Sequence, residues 1–134
     1  MRDKVIIDTS LYIQWYKGKN ELIYRLSQNV VCYLSSIVLI ELLAGASNET
    51  KRNDVDRKKR IFSDMGRIIY PDESISMKAG KTIQKMNVKS KHILGDVIIA
   101  MSAKSIGATV WTMDKDFERI KESQDFKLKV FEDQ

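Results

Sequence analysis

Apolar residues in this chain come in short runs, and between the runs they recur at helical spacing. Val5-Ile6-Ile7 is a β-branched run that predicts a buried strand. Asp8-Thr9-Ser10 ends it and is suited to cap a helix from Leu11 to Tyr16, which Gly18 stops. Leu22, Ile23 and Leu26 share one face of a second helix, Asn20 to Gln28. Val30 to Leu34 is the next strand, and Ser35-Ser36 caps a helix from Ile37 to Ala46. The charged stretch Glu49 to Arg67 reads as helical or partly mobile. Ile68-Ile69-Tyr70 is a third strand, stopped by Pro71, the only proline. Ser74 to Met86 is a helix, and Asn87 to His92 a polar, basic loop. Gly95 to Ile106 is a mostly apolar helix ended by Gly107. Ala108 to Thr112 is a fourth strand, Phe117 to Lys121 a short helical turn, and Leu128 to Phe131 a last strand.

Strands thus alternate with helices, and the strands are apolar on both faces. That pattern belongs to a parallel sheet covered by helices on each side. No repeat or low-complexity linker divides the 134 residues, so a single domain over 1–134 is expected. In such folds ligands bind beyond the carboxyl ends of the strands. The residues that follow each strand are therefore the ones to inspect.

Composition adds limits. Hydrophobic residues at 43% and charged residues at 31% give a core and a solvated surface rather than disorder. Lysine and arginine outnumber acids 23 to 18, a net charge of +5, which permits nucleic-acid binding without demonstrating it. The one cysteine, Cys32, can form no internal disulfide and reads as a small buried hydrophobe. Val5 to Ile7 is too short for a signal-peptide core. Val30 to Ala46 is interrupted by Ser35, Ser36 and Glu41 and falls short of the ~20 apolar residues of a membrane span. A soluble cytoplasmic protein without membrane contact is expected.

Four acids stand out by position. Asp8 ends the first strand. Glu41 shares its helical face with Ile37, Val38, Ala44 and Gly45, where a buried carboxylate would be costly unless paired. Asp96 opens an apolar helix on a face with Ile99, Ala100 and Ala103. Asp114 lies just past the fourth strand, with Asp116 two residues on. Each has an ordinary alternative: a helix cap for Asp8, a reach to solvent for Glu41, the helix dipole for Asp96, turn chemistry for Asp114. A single metal site accounts for all of them together. Oxygen-only ligands suit Mg²⁺, Mn²⁺ or Ca²⁺, and one His with one Cys excludes a zinc site built on several of either.

These segments resemble the motifs of PIN domains. Val5-Ile6-Ile7-Asp8-Thr9-Ser10 is similar to the opening strand of that family. Ser36 to Gly45, with Glu41, resembles the second acidic motif, and Gly95-Asp96-Val97-Ile98-Ile99-Ala100 the third. Thr112-Met113-Asp114-Lys115-Asp116-Phe117 resembles the fourth. The four come in family order and span nearly the whole chain. The resemblance implies a three-layer α/β/α sandwich with a central parallel sheet, and metal ligation by Asp8, Glu41, Asp96 and Asp114, with Asp116 as a fifth candidate. It implies that Ser10, two residues after the first acid, supports the site. The short chain is most similar to the toxins of VapBC-type toxin–antitoxin pairs, which implies a cognate antitoxin and a homodimer.

The chemistry this implies is hydrolysis of RNA by a Mg²⁺- or Mn²⁺-dependent endoribonuclease, a growth-inhibiting toxin acting on tRNA or another small RNA. Divalent metal activates water and stabilises charge on phosphorus. Asp8, Glu41 and Asp96 are the expected ligands, direct or through water, and Asp114 completes the site. Thr112 and Ser10 are candidates for holding the ligands in place. RNA needs positive charge around the acids. Lys51-Arg52 with Arg57-Lys58-Lys59-Arg60 form one basic run; Lys85, Lys89, Lys91 and His92 form another. Lys89, Lys91 and His92 lead into Asp96 and are the preferred phosphate contacts. Tyr12, Trp15 and Tyr16 suit the core or a partner better than base stacking. The alternative function is a non-catalytic PIN-like regulator that binds RNA or protein. A signalling receiver fits poorly, since Asp8 has no acidic neighbour and Pro71 follows the third strand. A metal-dependent DNA nuclease would use the same acids.

Overall fold

The computed structural model describes residues 2–18, 28–86 and 93–132. The helix expected over Asn20 to Gln28 falls outside them except for its last residue. The loop carrying Lys89, Lys91 and His92 falls outside them altogether. The strands are β1 (Lys4–Ile7), β2 (Val31–Ser35), β3 (Ile68–Ile69), β4 (Thr109–Thr112) and β5 (Lys127–Val130). The helices among the described residues are α1 (Thr9–Tyr16), α2 (Ser36–Ala44), α3 (Glu49–Asp64), α4 (Glu73–Met86), α5 (Leu94–Ile106) and α6 (Asp116–Ser123).

The strands form one parallel sheet in the order β3-β2-β1-β4-β5. The chain runs outward from β1 through β2 to β3, then crosses back to β4 and on to β5. Right-handed crossovers place α1 to α3 on one face of the sheet and α4 to α6 on the other. Accordingly α2 packs on α1 and α3, while α4, α5 and α6 pack on one another. The result is the three-layer α/β/α sandwich expected.

Central strands bury both faces: Val5, Ile6, Ile7 and Val110 are all nearly inaccessible. The apolar α5 lies against β1 and β4 and buries Val97, Ile99, Ala100, Met101, Ser102 and Ala103. Gly107 ends it with φ of +69°, a left-handed conformation that costs glycine least. Near the crevice, α2 and α5 touch: a Cβ on Gly95 would sit 3.3 Å from Ile37 Cγ2.

Some expectations need correction. The segment from Glu49 is one regular helix to Asp64, capped by Asn48 Oδ1 accepting from the Lys51 amide at 2.8 Å and anchored by buried Val55. The short turn at Phe117 is a full helix. β5 is an edge strand, with Lys127 and Lys129 exposed and Leu128 and Val130 half-buried, so it is not apolar on both faces. Cys32 is half-buried.

Phe117, fully buried, ties the start of α6 into the core. Phe117→Ala should cost about 3–5 kcal/mol of unfolding free energy, measured by urea denaturation. A loss below about 1 kcal/mol would mean that this ring does not anchor the segment.

Candidate active site

In the sheet β1 and β4 are neighbours, with Ile7 opposite Trp111. Connections leave these two strands in opposite directions, so the crevice at their carboxyl ends is the topological switch point. Asp8 follows β1 there, its amide donating to Trp111 O at 2.8 Å. It holds the N-cap position of α1, yet its side chain makes no capping hydrogen bond. Instead Asp8, 5% exposed, accepts on Oδ2 from Ser10 Oγ at 2.9 Å and from Thr112 Oγ1 at 2.8 Å. The same hydroxyl oxygens accept from the amides of Met113 (3.0 Å onto Ser10) and Asp114 (2.9 Å onto Thr112). Each hydroxyl has one proton, and both protons go to Asp8. The 3.2 Å approach of Ser10 Oγ to Thr112 Oγ1 therefore follows from their shared acceptor. Burial raises the Asp8 pKa; the hydroxyls, and the nearby amides of Thr9 and Ser10, offset only part of this.

Asp96 stands in the first turn of α5, half-buried. Its pKa is pushed up to about 7, first by burial and then by the charges of Asp8, Asp114, Glu41 and Asp116. A helix N-terminus alone would lower it; crowding by like charges overrides that. The other acids singled out along the chain are thus all electrostatic neighbours of Asp96. Asp114 Oδ1 also accepts from the Asp116 amide at 2.9 Å, so the turn role and the cluster role coexist.

Glu41 differs from expectation. It is exposed, because α2 carries it to the rim of the crevice rather than into the core. Its pKa is still raised, by partial desolvation first and by Asp8, against a lowering bond from Thr9. That bond, Thr9 Oγ1 to Glu41 Oε1 at 2.9 Å, joins residues 32 apart in sequence. Thr9 carried no signal in the sequence beyond being a hydroxyl beside Asp8, since its partner is fixed only by the docking of α2 on α1.

Among the described residues no three acidic, histidine or cysteine side chains come close enough together to hold one ion as they stand. The donor set nonetheless suits a hard divalent cation: oxygen only, with a half-buried acid whose ionisation its neighbours oppose. Seating an ion would take side-chain rotations inward, and Glu41 and Asp116, both exposed, have room for them.

The basic run around α3 divides. Arg57 and Lys58 both pair with Asp54, and Arg60 pairs with Asp56 at 3.3 Å. Tyr12 is buried against Trp15 in an edge-on contact, the core role expected of it, whereas Tyr16 is exposed.

A family model described as PIN domain matches residues 5–123. No curated protein matches the chain. Among solved structures, a chain of VapBC2 from Rickettsia felis, bound to a DNA fragment from its promoter, is 24% identical with a TM-score of 0.70, covering 96% of this chain and 99% of that one. VapBC-1 from nontypeable Haemophilus influenzae is also 24% identical, with a TM-score of 0.71 and coverage of 95% and 97%. VapBC-5 from Mycobacterium tuberculosis, a member of the VapBC family of toxin–antitoxin systems, is 16% identical with a TM-score of 0.65 and coverage of 96% and 98%. At such identities the likeness is one of fold.

The crowding of Asp96 has a sign that can be measured. An ordinary aspartate ionises near 3.8, this one near 7. Between those values the folded chain holds a proton that the unfolded chain has released. Stability contributed by this residue is therefore greatest on the acid side, falls as pH rises from about 4 to 7, and is level above. In EDTA, Asp96→Asn should raise stability at pH 8 by about 1–2 kcal/mol after allowance for solvent screening, on the order of 5 °C in Tm. Near pH 4 the shift should vanish. Equal shifts in melts at both pH values would trace the effect to packing rather than charge.

Proposed function

Because the chain belongs to the PIN-domain family, we propose that it is a metal-dependent endoribonuclease, the toxin of a toxin–antitoxin pair. One observation carries the catalytic part. Asp8, Glu41 and Asp114, drawn from three separate segments, all bear on Asp96, from a fourth, at the crevice between β1 and β4. A fold spends stability on such crowding where an ion or a reaction uses it.

In this reading Asp8, Glu41 and Asp96 hold the ion, Asp114 completes the site and Asp116 is a fifth candidate. Mg²⁺ or Mn²⁺ bound there supplies a water of lowered pKa and a clamp for phosphate oxygens. The protein's own groups prepare the acids. Ser10 and Thr112 fix Oδ2 of Asp8 and offset part of the cost of its burial; neither engages Oδ1. Thr9 donates to Glu41 and offsets part of the repulsion it feels from Asp8. Cleavage by an activated water leaves a 5′-phosphate and a 3′-hydroxyl.

Likeness of fold to VapBC structures supports the toxin reading, with a cognate antitoxin as partner; a homodimer as the assembly and tRNA or another small RNA as substrate complete the proposal. No helix among the described residues is long and apolar enough to cross a membrane; a cytoplasmic location is part of the proposal. Lys89, Lys91 and His92, outside the described residues, are the proposed phosphate contacts on the basic character of that segment.

Purified protein, freed of any partner, should cut total tRNA or other small RNAs with Mg²⁺ or Mn²⁺ and not with EDTA. Asp8→Asn and Asp96→Asn should each lose more than the ~10–100-fold typical of groups one step removed from a metal. A wild type that cuts none of these RNAs, or variants that cut as well, would remove the catalytic reading. Thr9→Val keeps the side-chain shape and loses the bond to Glu41, so the rate should fall about 3–10-fold, the worth of one hydrogen bond. Thr9→Ser should restore it, and failure of that rescue would show that the hydroxyl is not what matters.

A further inference from the structure

Beside Glu41 the surface opens into a groove of about 270 Å³ between α1, α2 and the start of α3. Thr9 and Glu41, joined by their hydrogen bond, line it, so the groove continues directly from the acidic crevice. Ile13 and Tyr16, which also line it, are 42% and 45% exposed, an apolar surface left open to solvent. Gly45 and Ala46 contribute almost no side chain, which leaves the space unfilled.

The charge around the groove has one sign away from the crevice. Glu41 is its one acidic lining residue, whereas Lys17 and Lys51 both border it. Lys51 Nζ donates to Ser47 Oγ at 3.2 Å, a neutral partner that orients the ammonium without cancelling it. Farther along α3, Arg57 and Lys58 share the single carboxylate of Asp54, which offsets half of their charge. Tyr16 is held in place by its hydroxyl's bond to Asp54 and by Lys58 Nζ over its ring at 4.8 Å.

We propose that this groove is a nucleotide subsite: with a phosphodiester at the acidic crevice, the adjoining nucleotide lays its base on Ile13 and Tyr16 and its outer phosphate on Lys51 and Lys17. The inference rests on the ribonuclease reading above. A phosphodiester at the crevice must carry a nucleotide on each side, and the groove is a concavity that runs on from the crevice. Its volume lies below the ~300–1,000 Å³ of small-molecule sites, which fits one nucleotide of a longer chain. An aromatic and aliphatic wall accepts any base by its face, and paired lysines hold phosphate regardless of sequence. The lysines favour a polyanion over a cationic peptide segment. The subsite contributes affinity and direction along the RNA rather than base identity.

The test uses the full chain carrying Asp96→Asn, so that RNA is bound and not cut. The probe is a short fluorescein-labelled single-stranded RNA of mixed sequence, read by anisotropy across a salt series in Mg²⁺. Lys51→Gln should weaken binding about 3–10-fold and lower the slope of log affinity against log salt by about one. Ala46→Phe, which fills the groove without changing charge, should weaken binding about as much and leave the salt slope unchanged. Lys81→Gln, the same charge change on α4, should alter affinity less than about twofold. Thermal melts show whether each variant is folded. RNA binding untouched by both Lys51→Gln and Ala46→Phe would overturn the subsite, assign the groove to another partner and leave the ribonuclease reading standing. No binding by the Asp96→Asn protein, with no cleavage by the wild type, would remove the ribonuclease reading and the subsite together.

Discussion

The acidic crevice depends on the pairing of β1 with β4 in a register that sets Ile7 against Trp111. That register places Asp8 one residue beyond a strand end and Thr112 at the adjacent end, so the carboxylate and the hydroxyl meet at 2.8 Å. Side chains alternate along a strand, so a slip of one residue would turn Thr112 away and leave Asp8 buried without its partner. The register is held by what lies beneath it. Val5, Ile6, Ile7 and Val110 are buried on both sides, and every slip would move apolar side chains out of their packing. The apolar sheet thus acts as a jig for a polar edge.

At that edge the fold tolerates a conflict. Asp8 is buried and relieved by two hydroxyls, while Asp96 is raised to about 7 by burial and by four other carboxylates. The two acids are supported differently. Asp8 is bonded within its own segment and to β4; Asp96 stands at a helix start where backbone dipoles help little against so much like charge. Such a site costs stability in the absence of a counter-charge, and a proposed cation would relieve it. Among the described residues, the basic run on α3 is turned to other partners: Arg57 and Lys58 share Asp54, Arg60 pairs with Asp56, and Lys51 lies out along the groove.

Helices serve the edge in distinct ways. α1 brings Thr9 and Ser10 immediately after Asp8, one hydroxyl for Glu41 and one for Asp8 itself. α2 presents Glu41 from the rim, and its contact with α5 at Ile37 and Gly95 sets how near that rim stands to Asp96. Gly95 matters here because a Cβ in its place would sit 3.3 Å from Ile37 Cγ2, so that side chain would have to yield by a few tenths of an ångström.

Much was legible along the chain. Apolar runs and their spacing determined the strands, most of the helices and the parallel sandwich, because burial on both faces writes itself as continuous hydrophobic sequence. Asp8, Glu41, Asp96 and Asp114 stood out because acids beside strand ends or on apolar faces are expensive enough to need a reason. What the sequence could not contain was distance. Glu41 looked buried from its helical neighbours and is exposed, because only the docking of α2 decides which side of that face meets solvent. Thr9 went unnoticed because its partner is 32 residues away. The basic run on α3 looked uniform and is divided by its pairing with Asp54 and Asp56. Local patterns are set by the covalent order and by solvent, so the sequence determines them alone. Which hydroxyl meets which carboxylate, and which charge remains free, depend on contacts of a few ångströms between remote segments, and those only the tertiary structure decides.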